Sequence, residues 1–326
     1  MTTITDLGPY KKYSYAVRIQ DGIVYAGRDR AGSGEYDVHA AFWDNGWTLL
    51  PDPAPGIPSS VAVSGVSTRI CGGFRTPGLE LFGRAAIWEL NSGSWVPFAL
   101  PLPFGALGSW ASDISPDGEV VAGEVHFGRF DQSAAIWKRN GGVWNVTVLP
   151  RPDVRAYSQG LPDGNGTSAI GNILDRPRWY PVEWSIGSTS SYSPLPPPAG
   201  VAHSAVQGSV ERVKNGWSAG SLSVSGGPTR AMLWGPGASD AEDLGTGDNT
   251  FATSVSNGVV VGVRENAGVY RAFQWSSLVG ETDIHPMGWD WSYPGDIDSS
   301  GRVALVAGMG DMSNAAADKS IFLLSP

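Results

Sequence analysis

Tryptophan returns along this chain at an interval that few architectures accommodate. A short apolar segment ending in Trp appears as Ala41-Phe42-Trp43, Ala86-Ile87-Trp88, Ala135-Ile136-Trp137, Val182-Glu183-Trp184, Met232-Leu233-Trp234 and Phe273-Gln274-Trp275. Successive tryptophans stand 45, 49, 47, 50 and 41 residues apart, and Ser320-Ile321-Phe322-Leu323-Leu324 is a degraded seventh copy. A second marker keeps the same beat. An apolar run ending in glycine precedes each copy, at Gly27, Gly72, Gly123, Gly171, Gly220, Gly262 and Gly308. Repeats of this length build solenoids, arrays or propellers, and the content of one period decides among them.

Each period holds four strand-like pieces. In the sixth they are Thr250–Val255, Val259–Val263, Arg271–Trp275 and a segment near Glu281–Ile284. The first two are joined by Ser256-Asn257-Gly258, and the same chemistry recurs at Asp21-Gly22, Asp117-Gly118, Asn215-Gly216 and Ser300-Gly301. Such pairs between apolar runs signal hairpins, because the turn demands a left-handed backbone. Four strands in 40 to 50 residues describe a propeller blade. The expected fold is an all-β, seven-bladed β-propeller of four-stranded antiparallel blades, one domain over residues 1–326. An open array would leave bare strand edges. Ile4-Thr5-Asp6-Leu7-Gly8 matches Ala241-Glu242-Asp243-Leu244-Gly245, an outer strand, whereas the last repeat lacks one. The segment of about residues 2–8 is therefore expected to close the ring against the C-terminal strands.

Several motifs resemble HAF repeats of a bacterial β-propeller family. They are Arg271-Ala272-Phe273-Gln274-Trp275 and Arg230-Ala231-Met232-Leu233-Trp234, with Asp243-Leu244-Gly245 and Val260-Val261-Gly262. His39-Ala40-Ala41-Phe42-Trp43 is a looser match, Pro181-Val182-Glu183-Trp184 lacks Ala-Phe, and four repeats replace Asp-Leu-Gly with Leu-Pro-x-Pro. The likeness covers the whole chain and implies the propeller fold. Because HAF-repeat proteins are mostly described as extracellular, it also implies export. It implies no particular reaction.

Composition excludes several functions. A net charge of −9 leaves no basic excess to displace counterions from nucleic acid or to seek an anionic membrane. No run reaches the ~18 apolar residues of a spanning helix, so no membrane insertion is expected. Cys71 is the only cysteine, so no intrachain disulfide and no Cys-based metal site can form. The four histidines, His39, His126, His203 and His285, show no metal-pair spacing. No metal and no cofactor are expected, and no nucleophile elbow, phosphate loop or dinucleotide fingerprint is present. The start, Met1-Thr2-Thr3-Ile4-Thr5-Asp6, has neither the basic nor the apolar region of a signal peptide. As written the chain reads as a cytoplasmic monomer; a secreted protein stripped of its leader would look the same.

A propeller's innermost strands line its central channel, and ligands bind at the mouth built from variable loops. Aligning the seven innermost strands puts Tyr15, Val61, Trp110, Tyr157, Ala205, Phe251 and Tyr293 in one inward column. The aromatic members form either a collar that stacks on a sugar or planar ligand, or packing between blades. Three further positions later the column reads Arg18, Ser64, Asp113, Gly160, Gly208, Ser254 and Asp296. Asp113 and Asp296 are candidate acid and base of a glycan-cleaving site, with Arg18 stabilising charge and His203 carrying protons. The alternative is an Arg–Asp pair neutralising a wet channel. Trp179, Trp289 and Trp291 fall outside the repeat register and are expected to be exposed recognition residues in loops. The crossings Leu50-Pro51-Asp52-Pro53, Leu100-Pro101-Leu102-Pro103, Leu149-Pro150-Arg151-Pro152 and Leu195-Pro196-Pro197-Pro198 give stiff walls, suited to a binding rim or to rigid connections alike. The leading expectation is a module binding a small molecule or glycan, most plausibly a carbohydrate, at the channel mouth. The alternatives are an enzyme acting inside the channel and a scaffold using its rim for a protein partner.

Overall fold

The computed structural model describes residues 3–9, 17–29, 38–57, 59–75, 83–151, 155–161, 166–175, 177–187, 191–245, 249–310, 312 and 319–326. Apart from one 3-10 turn, His203–Ala205, every described element is a strand. No described helix is long and apolar enough to cross a membrane.

The strands form six hydrogen-bonded sheets. Four are consecutive four-stranded meanders. They begin at Arg18–Gln20, Ser60–Val66, Val206–Lys214 and Thr250–Ser256 and end in short outer strands. A fifth places Trp291–Ile297, Val303–Gly308 and Lys319–Ser325 beside the N-terminal strand Thr3–Pro9. The sixth sheet has eight strands, because Gly108–Val148 and Arg155–Pro194 meet through one parallel pairing, Gln132 with Arg155. The expected terminal pairing is present, from Thr3 opposite Ser325 to Pro9 opposite Ser320.

Two hydrogen bonds tie neighbouring units together, and the first accounts for the tryptophan marker. The indole Nε1–H of Trp88 donates to the Pro51 carbonyl (2.7 Å), that of Trp137 to Pro101, that of Trp184 to Pro150 and that of Trp234 to Pro196 (each 2.8 Å). Each acceptor is the first proline of a Leu-Pro-x-Pro crossing. The preceding leucine donates its N–H to the third strand of its own sheet, as Leu50 does to Ala40 and Leu100 to Ala85. Leu50, Leu100 and Leu149 are buried. Proline suits this place because it fixes the backbone while giving up only a donor the crossing does not use. In the first unit Trp43 is only partly buried, and Trp47 makes the equivalent bond to Leu7 O (2.7 Å). The second tie is a hydroxyl opening the innermost strand. Ser60, Ser109, Thr250 and Ser292 accept the N–H of Ala40, Ala85, Ala231 and Ala272 at 2.9–3.0 Å.

The periodic glycines have an equally local cause. A Cβ on Gly72, Gly123, Gly171, Gly220 or Gly262 would fall within 2.0–2.3 Å of the carbonyl oxygen of Val61, Trp110, Tyr157, Ser209 or Phe251. Just beyond each of these contacts the inner strand bulges, for example between Ala111 and Asp113 and between Val210 and Arg212. The bulge tips the next inward residues toward the channel. Asn215-Gly216 and Asn257-Gly258 turn with both residues at positive φ, as their hairpins require.

Candidate functional site

The glycine contacts also correct the fifth unit. Its inward residues are Ser209 and Arg212, not Ala205 and Gly208, because Ser209 O faces Gly220 and the bulge lies between Val210 and Arg212. The inner strand there, Val206–Lys214, starts after a short helical turn and runs nine residues, which displaced the alignment by four. Arg212 is thereby a channel residue that the sequence reading missed. Counting back from the turn recovers it: Arg212 stands three residues before Asn215, as Arg18 does before Asp21 and Ser254 before Asn257.

At the mouth, four aromatic residues gather around one cavity of about 520 Å³. Tyr157, Phe251 and Tyr293 come from three inner strands. Trp179 comes from the third strand of the fourth unit and packs on Tyr157 with ring centroids 5.3 Å apart. Tyr293 is 37% exposed. The rest of the lining is polar and small: Gln207, Ser209, Ser221, Ser223 and Thr229, with Glu211. Glu211 sits at the bulge, where its side chain is drawn inward, and accepts a hydrogen bond from Ser209 Oγ. Burial raises its carboxyl above the usual range, while the Ser209 bond and the Arg18 charge pull it back. Burial likewise raises the Tyr157 and Tyr293 phenols, and the Glu211 carboxylate adds to both shifts.

Below the mouth the channel is filled by an ionic cluster. Asp296, fully buried, accepts from Ile19 N (2.9 Å), Ile297 N (3.0 Å), Lys214 Nζ (2.8 Å) and Ser254 Oγ. Arg212 lies between the two carboxylates, 3.6 Å from Asp113 and 3.8 Å from Asp296. Asp113 also accepts from Ser64 Oγ (3.1 Å) and Leu161 N (3.3 Å). Although burial opposes ionisation, Lys214, Arg212 and Arg18 hold the Asp296 carboxyl at about 2. Lys214 gives its remaining protons to Ile19 O and Ile297 O. Burial lowers its ammonium to about 8 against the attraction of Asp296. Arg18 donates Nη1 to Gly295 O (2.9 Å), and burial and the Arg212 charge lower its guanidinium. The other side of the cluster borders a smaller cavity of about 330 Å³, lined by Asp113, Arg212 and Lys214 with Gln20, Pro116, Asn215 and Ser299.

This geometry separates the expected site residues. Tyr157, Phe251, Tyr293 and Trp179 share the mouth cavity. Trp110 does not line it. Its ring lies on Gly73 and Gly83 of the preceding sheet, where an added Cβ would come within 2.6 and 3.1 Å. Trp289 and Trp291 are not exposed loop residues. Trp289 packs edge-on against Phe322 (5.3 Å), and Trp291 is 5% exposed in the core beside Gly308 with Lys319 over its ring. Trp289 is half-buried within the crossing, where His285 Nε2 donates to its carbonyl oxygen (2.7 Å), and Trp291 is the first residue of the inner strand Trp291–Ile297. Tyr15 lies outside the described residues. Asp113 and Asp296 do converge with a cation, but the arginine between them is Arg212. Held ionised near 2, Asp296 has no proton to donate at neutral pH, and its oxygens are already engaged. His203 is exposed in the 3-10 turn and lines neither cavity. The described residues contain no group of three His, Cys, Asp or Glu side chains placed to hold a metal ion.

No family model matches the chain, and no curated protein matches it. Solved structures do. The β-propeller domain of the Trilobed protease from Pyrococcus furiosus is 10% identical over 97% of this chain and 94% of its own, with a TM-score of 0.63. A puromycin hydrolase S511A mutant complexed with PGG is 14% identical over 93% of this chain, with a TM-score of 0.58. A puromycin-hydrolyzing peptidase from Mycobacterium tuberculosis is 11% identical over 96% of it, with a TM-score of 0.57. The chain spans about half the length of these last two proteins. At such identities the likeness establishes the fold, and the fold of this chain is a β-propeller.

Proposed function

We propose that this propeller is a ring of seven blades that binds a carbohydrate at the aromatic mouth of its channel. Seven runs of four strands support the count, since the two halves of the eight-stranded sheet share a single pairing. Contacts between the first and last units support closure, with Ile19 N donating to Asp296 and Arg18 to Gly295. The HAF-like motifs remain the sequence link to exported bacterial propellers.

The observation that carries the binding reading is the mixed lining of the mouth cavity. Three rings on inner strands and Trp179 offer apolar faces, and the hydroxyls of Ser209, Ser221, Ser223 and Thr229 and the Gln207 amide offer hydrogen bonds. A sugar has the matching character, with C–H groups on one face and hydroxyls around the edge. The volume falls within the range of about 300–1,000 Å³ usual for small-molecule sites.

Affinity electrophoresis against soluble polysaccharides, with polymer length checked after incubation, tests the reading. Retardation by an intact polymer, lost in the folded Phe251→Ala/Tyr293→Ala variant, is the expected result. Retardation that survives in that variant would place the site elsewhere. Shortened polymer would replace the binding module with an enzyme, whose groups would have to lie outside the saturated Asp296 cluster.

A further inference from the structure

The mouth cavity carries one feature that a neutral sugar does not explain. Among the described residues lining it, Glu211 carries the only carboxyl, close enough to Tyr157 and Tyr293 for its charge to act on their phenols. A half-buried carboxylate in such a cavity is costly to keep ionised unless a cation pairs with it. Its partners inside the protein are modest. Ser209 Oγ donates one hydrogen bond, and the nearest cation acting on it, Arg18, does not line the cavity. The charges of Arg212 and Lys214 are committed to Asp113 and Asp296 further down the channel.

Aromatic rings present the negative faces of their π-systems, and a ring of them around a carboxylate makes a pocket whose potential suits a cation. The opposite case, an anionic ligand, would meet Glu211 with no cation in the lining to offset it. Resting on the carbohydrate reading of the same cavity, we infer that the ligand is an amino sugar with a free, protonated amine: its ring stacks on the aromatic walls and its ammonium pairs with Glu211. The hydroxyl-bearing residues Ser209, Ser221, Ser223 and Thr229 then serve the sugar hydroxyls.

The test compares three oligosaccharides of equal length by titration calorimetry: β-1,4-glucosamine oligomers, their N-acetylated counterparts and cello-oligosaccharides. The amine-bearing oligomer is expected to bind about tenfold more tightly than the other two, as a charge-assisted hydrogen bond in a desolvated site should give. Glu211→Gln should erase that difference. The unsubstituted protein supplies an independent check. Its affinity for the amine should rise as Glu211 ionises and fall as the sugar amine loses its proton, whereas cello-oligosaccharide binding should not follow that profile. Equal binding of all three sugars would overturn the amine inference and leave the carbohydrate site standing. A preference for the amine that persists in Glu211→Gln would remove Glu211 as its cause. Failure of all three to bind would overturn the inference together with the reading on which it rests.

Discussion

The two halves of the channel are opposite in kind. Toward the mouth, Tyr157, Phe251 and Tyr293 leave a cavity of about 520 Å³ with Glu211 in its lining. Further down the channel, Arg18, Asp113, Arg212, Lys214 and Asp296 lock one another in place. One half surrounds an open cavity, and the other spends its charges on one another. The difference teaches how a repeat can be both scaffold and site. One end of the inner strands binds the blades together electrostatically, and the other is then free to vary around a ligand.

Substitutions that separate the two halves should show it. The largest effect is expected from Asp296→Ala, which strands Lys214 as a buried cation and should cost about 3–5 kcal/mol. Urea unfolding would show it as a lower midpoint, and an unchanged midpoint would refute the ionic plug. Next comes acid. Since the Asp296 carboxyl is held at about 2, below its unfolded value near ~3.9, its contribution is complete above the unfolded value. That contribution is lost as the pH falls through about 4 toward 2, an expected loss of about 2–3 kcal/mol. The pH series of Asp296→Asn should lack that loss. Trp110→Ala should be milder, at about 1–3 kcal/mol, because the ring fills the space over Gly73 and Gly83. Ligand affinity should not change, which distinguishes an interblade ring from a cavity wall. Tyr293→Ala should move stability least, by no more than about 0.5 kcal/mol for a side chain 37% exposed. It should nevertheless weaken carbohydrate binding about tenfold or more. A stability loss as large as that of Asp296→Ala would merge the two halves into one structural unit.

Whatever obeys the repeat could be read from the sequence. Trp88, Trp137, Trp184 and Trp234 signal the period because each must reach a proline carbonyl in the neighbouring crossing. Gly72, Gly123 and Gly171 signal it because a carbonyl oxygen occupies the place of their Cβ. Tyr157, Phe251 and Tyr293 fall in one inward column of the repeat, and Trp179 stands outside its register. What escaped depends on contacts between units. Arg212 and Glu211 were hidden by the longer strand after His203–Ala205 and by the bulge at Val210. Trp289 and Trp291 looked exposed because the sequence places them in a crossing and gives no sign that it folds onto Phe322 and Gly308.

The pairing of Thr3–Pro9 with Lys319–Ser325 sets an order in time. About 310 residues of chain must be synthesised after the first strand before its partner exists. At ~5–20 residues per second that is a wait of roughly tens of seconds. Throughout it the nascent strand lacks the ladder partner for most of its backbone donors and acceptors. The last sheet is therefore the last to assemble, and a chaperone or a foreign strand competes for Thr3–Pro9 only until Lys319–Ser325 emerges.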